Sequence, residues 1–166
     1  MQRNSWRYAL LSLTLGSVAV QADVPITVKA MIVVPACDIA GESGEARLEV
    51  PFGEIAQRDA GTAKAERSVR IKISCRGGVP VGKSLQMYLT PTAYGMMKNM
   101  GTNVLATSMT GIGIALTHDK TVFDIGKWLP IEAGLFTLTG QLVIQNGTDL
   151  QGGTFSAGAS LFASYM

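Results

Sequence analysis

The sequence predicts an all-β fold of the sandwich type. Short runs of β-branched or alternating apolar residues recur along the chain, and clusters of glycine, proline and polar residues separate them. Helical spacing of apolar residues is hard to find, and no segment of roughly 20 to 50 residues repeats. The predicted strands are Val24–Val34, Arg47–Phe52, Ser68–Cys75, Ser84–Thr90, Gly111–Thr117, Leu135–Gln145 and Thr154–Tyr165. The predicted loops are GESGE, RDAGTAKAE, RGGVPVGK, TPTAYGMMKNMGTN, HDKTVFDIGKWLP and NGTDLQGG.

Residues 1–22 precede this fold and have the pattern of a secretory signal peptide. Arg3 and Arg7 come before an apolar run, and the segment ends on Val-Gln-Ala, with small residues where a signal peptidase reads the chain. The run is too short and wrongly flanked for a membrane span, and a buried N-terminal helix is the alternative. We therefore expect export, a mature chain that begins at Asp23, and no stable insertion in a membrane.

The charge of the chain belongs to this leader. The whole chain has 14 basic and 12 acidic residues, and two of the basic residues lie in residues 1–22, which contain no acid. The rest of the chain is therefore neutral by formal charge. No basic stripe remains to predict nucleic acid or anionic lipid as a partner.

The first predicted strand carries one continuous apolar row. In an ordinary sandwich this row would pack into the core of its own chain, and Pro25 would stand near the start of the strand, where a missing N–H group is tolerated. The row consists of Val24, Ile26, Val28, Ala30 and Ile32.

The two cysteines, Cys37 and Cys75, predict a disulfide. An even pair in an exported protein is most simply bonded, and a bond across a loop of this length stabilises the fold by roughly 3–4 kcal/mol. Alternation within Ser68–Cys75 places Cys75 on the inner face of its strand. A metal site is the alternative, but two distant cysteines and the lone His118 supply too few ligands.

The last predicted strand alternates up to the end of the chain and has no following strand to pair with. An apolar open edge of this kind is an aggregation hazard that proteins normally avoid, so the edge requires a cover. One face of the strand carries Phe155, Ala157, Ala159, Leu161, Ala163 and Tyr165.

Catalytic chemistry is not predicted. The chain contains no nucleophile-elbow, zinc-protease, P-loop or Cys-x-x-Cys motif, and its single histidine, His118, stands in the turn-like THDKT. Trp128 could stack on a sugar, although a tryptophan that anchors a loop is more common. We expect no catalytic residues, no metal and no cofactor.

These segments resemble the subunits of bacterial chaperone–usher pili, most of all the minor tip adaptors of P and type 1 pili. The resemblance covers essentially the whole chain after residue 22. Its most specific part is the ending, because family members have a glycine fourteenth from the end and a penultimate aromatic, which here are Gly153 and Tyr165. Both cysteines fall where the family has its disulfide. The segments that carry the resemblance are DVPITVKAMIVVPACDI, VPFGEI, SVRIKISC, GTNVLATSMTGIGIAL and GGTFSAGASLFASYM.

The resemblance implies an incomplete immunoglobulin-like sandwich that lacks its final strand and is completed by a donor strand from another chain. A periplasmic chaperone would fill the open groove first, and its basic residues would bind the terminal carboxylate. At the outer-membrane usher, the N-terminal extension of a neighbouring pilus subunit would then replace the chaperone strand. The expected location is a fimbrium on the bacterial surface.

The implied organisation is a signal peptide (1–22), a donor-strand extension (23–34) and a pilin domain (35–166). The implied donor row is Val24, Ile26, Val28, Ala30 and Ile32, and the disulfide joins Cys37 and Cys75. The implied groove edge consists of Gly153, Phe155, Ala157, Ala159, Leu161, Tyr165 and Met166. Two residues depart from the family pattern. Ala30 stands near a position where many pilins have glycine, and Pro25 removes a donor from the start of the extension.

Three alternatives remain beside the adaptor. A major rod subunit belongs to the same pathway and differs mainly in copy number. A tip adhesin would need a separate lectin domain and would lack a donor row. A self-contained periplasmic carbohydrate-binding or enzymatic sandwich would be a stable monomer.

Overall fold

The structure is a computed structural model that describes residues 36–145, 148 and 152–166. Within these residues about half of the chain is strand, and the only helices are two single-turn 3-10 helices at Gln57–Asp59 and Ala63–Ala65. The ten strands are β1 (Ala36–Gly41), β2 (Glu66–Arg76), β3 (Leu85–Pro91), β4 (Met96–Asn99), β5 (Thr102–Ala106), β6 (Ile112–His118), β7 (Thr121–Phe123), β8 (Leu129–Pro130), β9 (Gly134–Ile144) and β10 (Ala159–Tyr165).

The strands form two antiparallel sheets. The larger sheet has the order β1-β2-β9-β6-β5-β4, and β7 pairs with β6 beyond the end of β5. The smaller sheet has the order β10-β3-β8. Residues from both sheets contribute to one cluster of buried apolar side chains, which forms the core between them. The predicted all-β sandwich is therefore confirmed.

The predicted strands with a buried face are confirmed. Ser68–Cys75 lies inside β2, where Ile71 and Ile73 are buried and the intervening Arg70, Lys72 and Ser74 are exposed. The predicted strands Ser84–Thr90, Gly111–Thr117 and Leu135–Gln145 match β3, β6 and β9 to within one residue at each end. Alternation identifies these strands because each one packs a single face on the core.

The predicted strand Arg47–Phe52 is wrong, since this segment has no regular structure. Gly41 ends β1, and the chain turns there through two hydrogen bonds, since Gly41 N–H donates to Glu45 O and Gly44 N–H donates to Gly41 O. Pro51 has no N–H group for a ladder, and Gly53 adopts a positive φ of 71°. The predicted strand Val24–Val34 lies outside the described residues.

The last strand begins at Ala159 rather than at Thr154. The preceding residues still run beside the rest of the chain, because Ser108 N–H donates to Ser156 O and Thr92 N–H donates to Gly158 O, both at 2.9 Å. They form single hydrogen bonds rather than a continuous ladder.

Sequence reasoning missed five short strands: β1, β4, β5, β7 and β8. The predicted loop TPTAYGMMKNMGTN contains β4 and the start of β5, which form a hairpin, and the predicted loop HDKTVFDIGKWLP contains β8 and also β7, which forms a hairpin with β6. Their tight turns use positive φ at Met100 and Gly101 in one, and at Asp119 and Lys120 in the other. Such two-residue turns match the twist of the flanking strands.

Candidate functional site

An apolar groove of about 1490 Å³ lies where two strand edges are left without a partner. On one side β1 pairs only with β2, and on the other side β10 pairs only with β3. In the part of the chain that the structure describes, no strand is hydrogen-bonded to the second edge of either β1 or β10, although the two strands approach each other beside the groove. Both edges therefore present main-chain N–H and C=O groups that a further strand could bind.

The walls of the groove are the inner faces of strands from both sheets. The larger sheet contributes branched side chains from β2, β6 and β9, and the smaller sheet contributes Leu89 and Leu161. The side chains of the larger sheet in the groove include Val69, Ile71, Ile114, Leu116, Leu138 and Leu142. An opening lined in this way is suited to branched apolar side chains that enter from outside.

The predicted groove-edge residues lie along the C-terminal segment with alternating exposure. Ala159, at the start of β10, and Met166 are exposed, and Gly153 is exposed ahead of the strand. The remaining four, Phe155, Ala157, Leu161 and Tyr165, are half-buried and pack on the core.

The end of the chain is tied to the start of β3. Met166 N–H donates to Ser84 O at 2.9 Å, and Ser84 N–H donates to Met166 O at 3.0 Å. Within β10 the register pairs Tyr165 with Leu85 and Leu161 with Leu89. β10 therefore keeps a fixed register on β3 up to the last residue, which also fixes the positions of the main-chain groups on its open edge.

The predicted disulfide is present. Cys37 and Cys75 face each other across β1 and β2, with their Cα atoms 4.1 Å apart and both residues half-buried. The bond attaches β1 to β2 next to its first residue. It leaves the opposite edge of β1 free beside the groove.

Residues 45–57 line the groove, and sequence reasoning missed their role. The Phe52 ring lies 5.9 Å from the Phe155 ring in an edge-on arrangement. Arg67 Nη2 donates to Phe52 O at 2.6 Å, so β2 holds this irregular segment in place. Gly140 of β9 lies beneath it, because a Cβ there would stand 3.4 Å from Phe52 Cζ and 3.1 Å from an Ile114 methyl.

His118 and Trp128, which were considered above for catalysis and for sugar binding, lie outside the groove. His118, which stands in the turn-like THDKT, ends β6 half-buried, with its ring 4.8 Å from the Phe136 ring and Nε2 3.6 Å from an Asp119 carboxylate oxygen. Trp128 is 42% exposed and packs on Tyr88 at 5.0 Å, which agrees with a loop anchor.

One carboxylate has a perturbed pKa. Hydrogen bonds from the Lys127 ammonium and from the Asn103 N–H group lower the pKa of Asp124 below its ordinary value of 3.8. The residues described contain no cluster of three or more side chains arranged to hold a metal ion. Among the same residues, no helix has the length and apolar character of a membrane span.

The comparison that decides the family covers most of the chain. The fimbrial protein family matches residues 26–166. This chain belongs to that family. It is a structural subunit of a fimbrium, the surface pilus of bacteria that is built from subunits exported through the periplasm.

Two Escherichia coli relatives resemble this fimbrial subunit over nearly its whole length. The minor fimbrial protein PrsF and the fimbrial adapter PapF are each 33% identical to it over 171 residues, which cover 93% of this chain and 95% of the relative.

Solved structures give the same picture. The P pilus adaptor subunit PapF has a TM-score of 0.56 and 29% identity, and the match covers 81% of this chain and 99% of that one. The P pilus rod subunit PapA has a TM-score of 0.50 at 19% identity, over 78% of this chain and 99% of that one, and shows the fold alone. The incomplete immunoglobulin-like sandwich predicted from the sequence is the fold of this subunit.

Proposed function

We propose that this subunit polymerises by donor-strand exchange as a minor adaptor of a pilus. The observation that carries the proposal is the apolar groove between the unpaired edges of β1 and β10. The apolar side chains that line the groove are removed from water only when a strand fills it. Their burial therefore favours the binding of a strand by the isolated chain. In this proposal the groove is filled first by a periplasmic chaperone and then, at the outer-membrane usher, by the next subunit.

The proposed donor is the extension at residues 23–34, which follows a signal peptide at 1–22. Its row Val24, Ile26, Val28, Ala30 and Ile32 would enter the groove of a neighbouring subunit. Four branched side chains at ~1.5–3 kcal/mol each give a gross gain of roughly 6–12 kcal/mol before the cost of ordering the strand.

The proposed receiving edge is the C-terminal segment. Phe155, Ala157, Leu161 and Tyr165 would meet the incoming row from the inner side, and Ala159 and Gly153 would extend that edge at its start. The terminal carboxylate of Met166 would bind basic residues of the chaperone. The hydrogen bonds with Ser84 support this role, because they hold the terminus in a defined place.

An adaptor position is proposed because PapF is a fimbrial adapter and PrsF a minor fimbrial protein. An adaptor needs one donor extension and one receiving groove, which are the two features argued above. The proposed role is non-catalytic.

Periplasmic expression with and without a pilus chaperone tests the proposal. We expect soluble chain only as a one-to-one complex, from which a peptide of a partner's extension displaces the chaperone. Leu161→Asp places a charge in the groove and should abolish the complex, and its matched control is Val122→Asp, at an exposed residue of β7 that does not line the groove. A chain that is a cooperative, stable monomer without any partner would overturn the proposal, because a self-contained sandwich behaves in that way.

A further inference from the structure

We propose that Phe162 contacts the outward face of the incoming donor strand, so that this strand is recognised on both faces rather than through the groove alone. The inference rests on the proposed function, since it takes for granted that a strand pairs with the free edge of β10. The outward face of the donor strand does not enter the groove. Without a contact to Phe162, the receiving subunit would place no constraint on the residue types of that face.

The outward row of β10 consists of two small polar residues with one large apolar residue between them. Ser160, Phe162 and Ser164 alternate with the inward Leu161, Ala163 and Tyr165. Phe162 is 51% exposed, whereas the outward residues of β2 are all polar or charged. A large apolar side chain on an unpaired edge invites association, and proteins place charges there when no partner is intended.

Phe162 is the last member of an aromatic row that crosses the smaller sheet. Its register partner on β3 is Tyr88, and Trp128, next to β8, packs on the Tyr88 ring at 5.0 Å. The row therefore runs from β8 across β3 to β10 and stops at the edge where no strand is described. Side chains that face each other across adjacent strands are the units by which a sheet gains stability.

The occupant is a donor strand of the kind that this chain carries at residues 24–32. In an antiparallel ladder every residue has a neighbour directly across, about 4.5–5.5 Å away between Cβ atoms, so one outward residue of the donor lies beside Phe162. The outward residues of the extension in this chain include Thr27, Lys29 and Met31. A methyl, thioether or long aliphatic stem would cover the exposed ring.

A sugar is the competing ligand for exposed aromatics, and the geometry disfavours it. The Tyr88 and Trp128 rings are tilted by 41° relative to each other and pack together, so they offer no shared flat platform. Phe162 itself carries no polar group, and its outward neighbours on β10 are two serines.

The test uses a donor-complemented chain. This is the full chain from Asp23 with a second copy of residues 23–35 after Met166, joined by a loop of about four to six residues so that the copy can pair antiparallel with β10. The measurement is the equilibrium constant of unfolding in urea. Phe162→Ala is compared with Val122→Ala, an apolar residue on β7 of the other sheet that is 59% exposed.

We expect Phe162→Ala to weaken folding about two- to fivefold more than Val122→Ala, the size of a cross-strand pair. Replacing Thr27, Lys29 and Met31 of the added copy by Ala in turn should remove this excess at one of the three positions, which identifies the neighbour in a double-mutant cycle.

Two results would overturn the inference separately from the proposed function. If the added copy stabilises the chain but Phe162→Ala matches Val122→Ala, or shows no coupling to any outward position, the outward face is not recognised. If the added copy stabilises no more than a copy with Ile26→Asp and Val28→Asp, the groove itself takes no donor strand and both proposals fail.

Discussion

Met166 and Ser84 exchange two main-chain hydrogen bonds, 2.9 and 3.0 Å long, so the last residue of the chain is part of the sheet rather than a frayed end. Terminal residues are poorly ordered unless they are tied down in this way. The register of β10 on β3 therefore extends to the carboxylate. A partner that binds the terminal carboxylate is placed in a fixed register along the free edge of β10.

Truncation after Ser164 should impair assembly. It removes two hydrogen bonds worth ~0.5–1.5 kcal/mol each and the half-buried Tyr165 ring. We expect the yield of soluble complex with a periplasmic chaperone to fall sharply, measured by co-purification. Met166→Leu is the control, because it keeps the main-chain bonds, and an undiminished yield from the truncated chain would contradict the role of the terminus.

Loss of the disulfide should lower stability by roughly 3–4 kcal/mol in the chain-entropy account. The double variant Cys37→Ser/Cys75→Ser should shift the urea midpoint of the donor-complemented chain downwards, and reduction of the parent should produce the same shift. Equal midpoints for oxidised and reduced protein would show that β1 is held by its ladder alone.

Gly158→Ala should be destabilising, whereas Gly152→Ala should not. A Cβ at Gly158 would stand 2.6 Å from Thr92 Oγ1, while a Cβ at Gly152 meets nothing within 4 Å. Since Thr92 N–H also binds Gly158 O, the main chain is held in place and the exposed Thr92 side chain must rotate, at a cost of ~0.5–1.5 kcal/mol. Urea unfolding of the donor-complemented chain measures the difference, and Thr92→Ala in the same chain should recover part of it. Identical midpoints for the two glycine variants would contradict the close approach.

Asp124 should contribute stability that acid removes. Its pKa is lowered by the Lys127 hydrogen bond and by the Asn103 N–H group, so the ionised form favours the folded state. The contribution is fully present above the ordinary value of 3.8 and is lost as the pH falls through the lowered pKa of the folded state.

The measurement is urea unfolding of the donor-complemented chain at pH 7 and at pH 2 to 3. Asp124→Asn should have a lower midpoint than the parent at pH 7, and the gap should narrow in acid. Glu132→Gln, at an exposed acid in the next loop, should match the parent at both values. A gap that stays constant with pH would mean that the charge of Asp124 plays no part.

The sequence predicts the strands that pack one face on the core and fails at those that do not. In β2 the alternation of Ile71 and Ile73 with Arg70 and Lys72 reflects burial directly. Residues 96–99 of β4 lie at the far edge of the larger sheet, and both Met96 and Lys98 are exposed, so no such contrast marks them. Alternation at Arg47–Phe52 is misleading because it is local, whereas a strand also needs a partner.

The lining of the groove likewise has one part that the sequence predicts and another that it does not. Its C-terminal edge could be predicted, since the alternation of Phe155, Ala157, Leu161 and Tyr165 is visible in one stretch of sequence. The part of the groove around residues 45–57 could not be predicted, because Phe52, Arg67 and Gly140 come from separate segments that only the fold brings together. The pairing of Cys37 with Cys75 could be predicted because the chain has only these two cysteines.

The position of the disulfide has a mechanical consequence. A chain pulled through the residues that precede Ala36 feels the force first at the end of β1, and a strand pulled from its end detaches from its neighbour one hydrogen bond at a time. Cys37 is the second residue of β1, so its covalent bond to Cys75 stops this unzipping almost at once. Tension would pass into β2, the long central partner of both β1 and β9, and the subunit would resist stretching as a block rather than peel open from its exposed end.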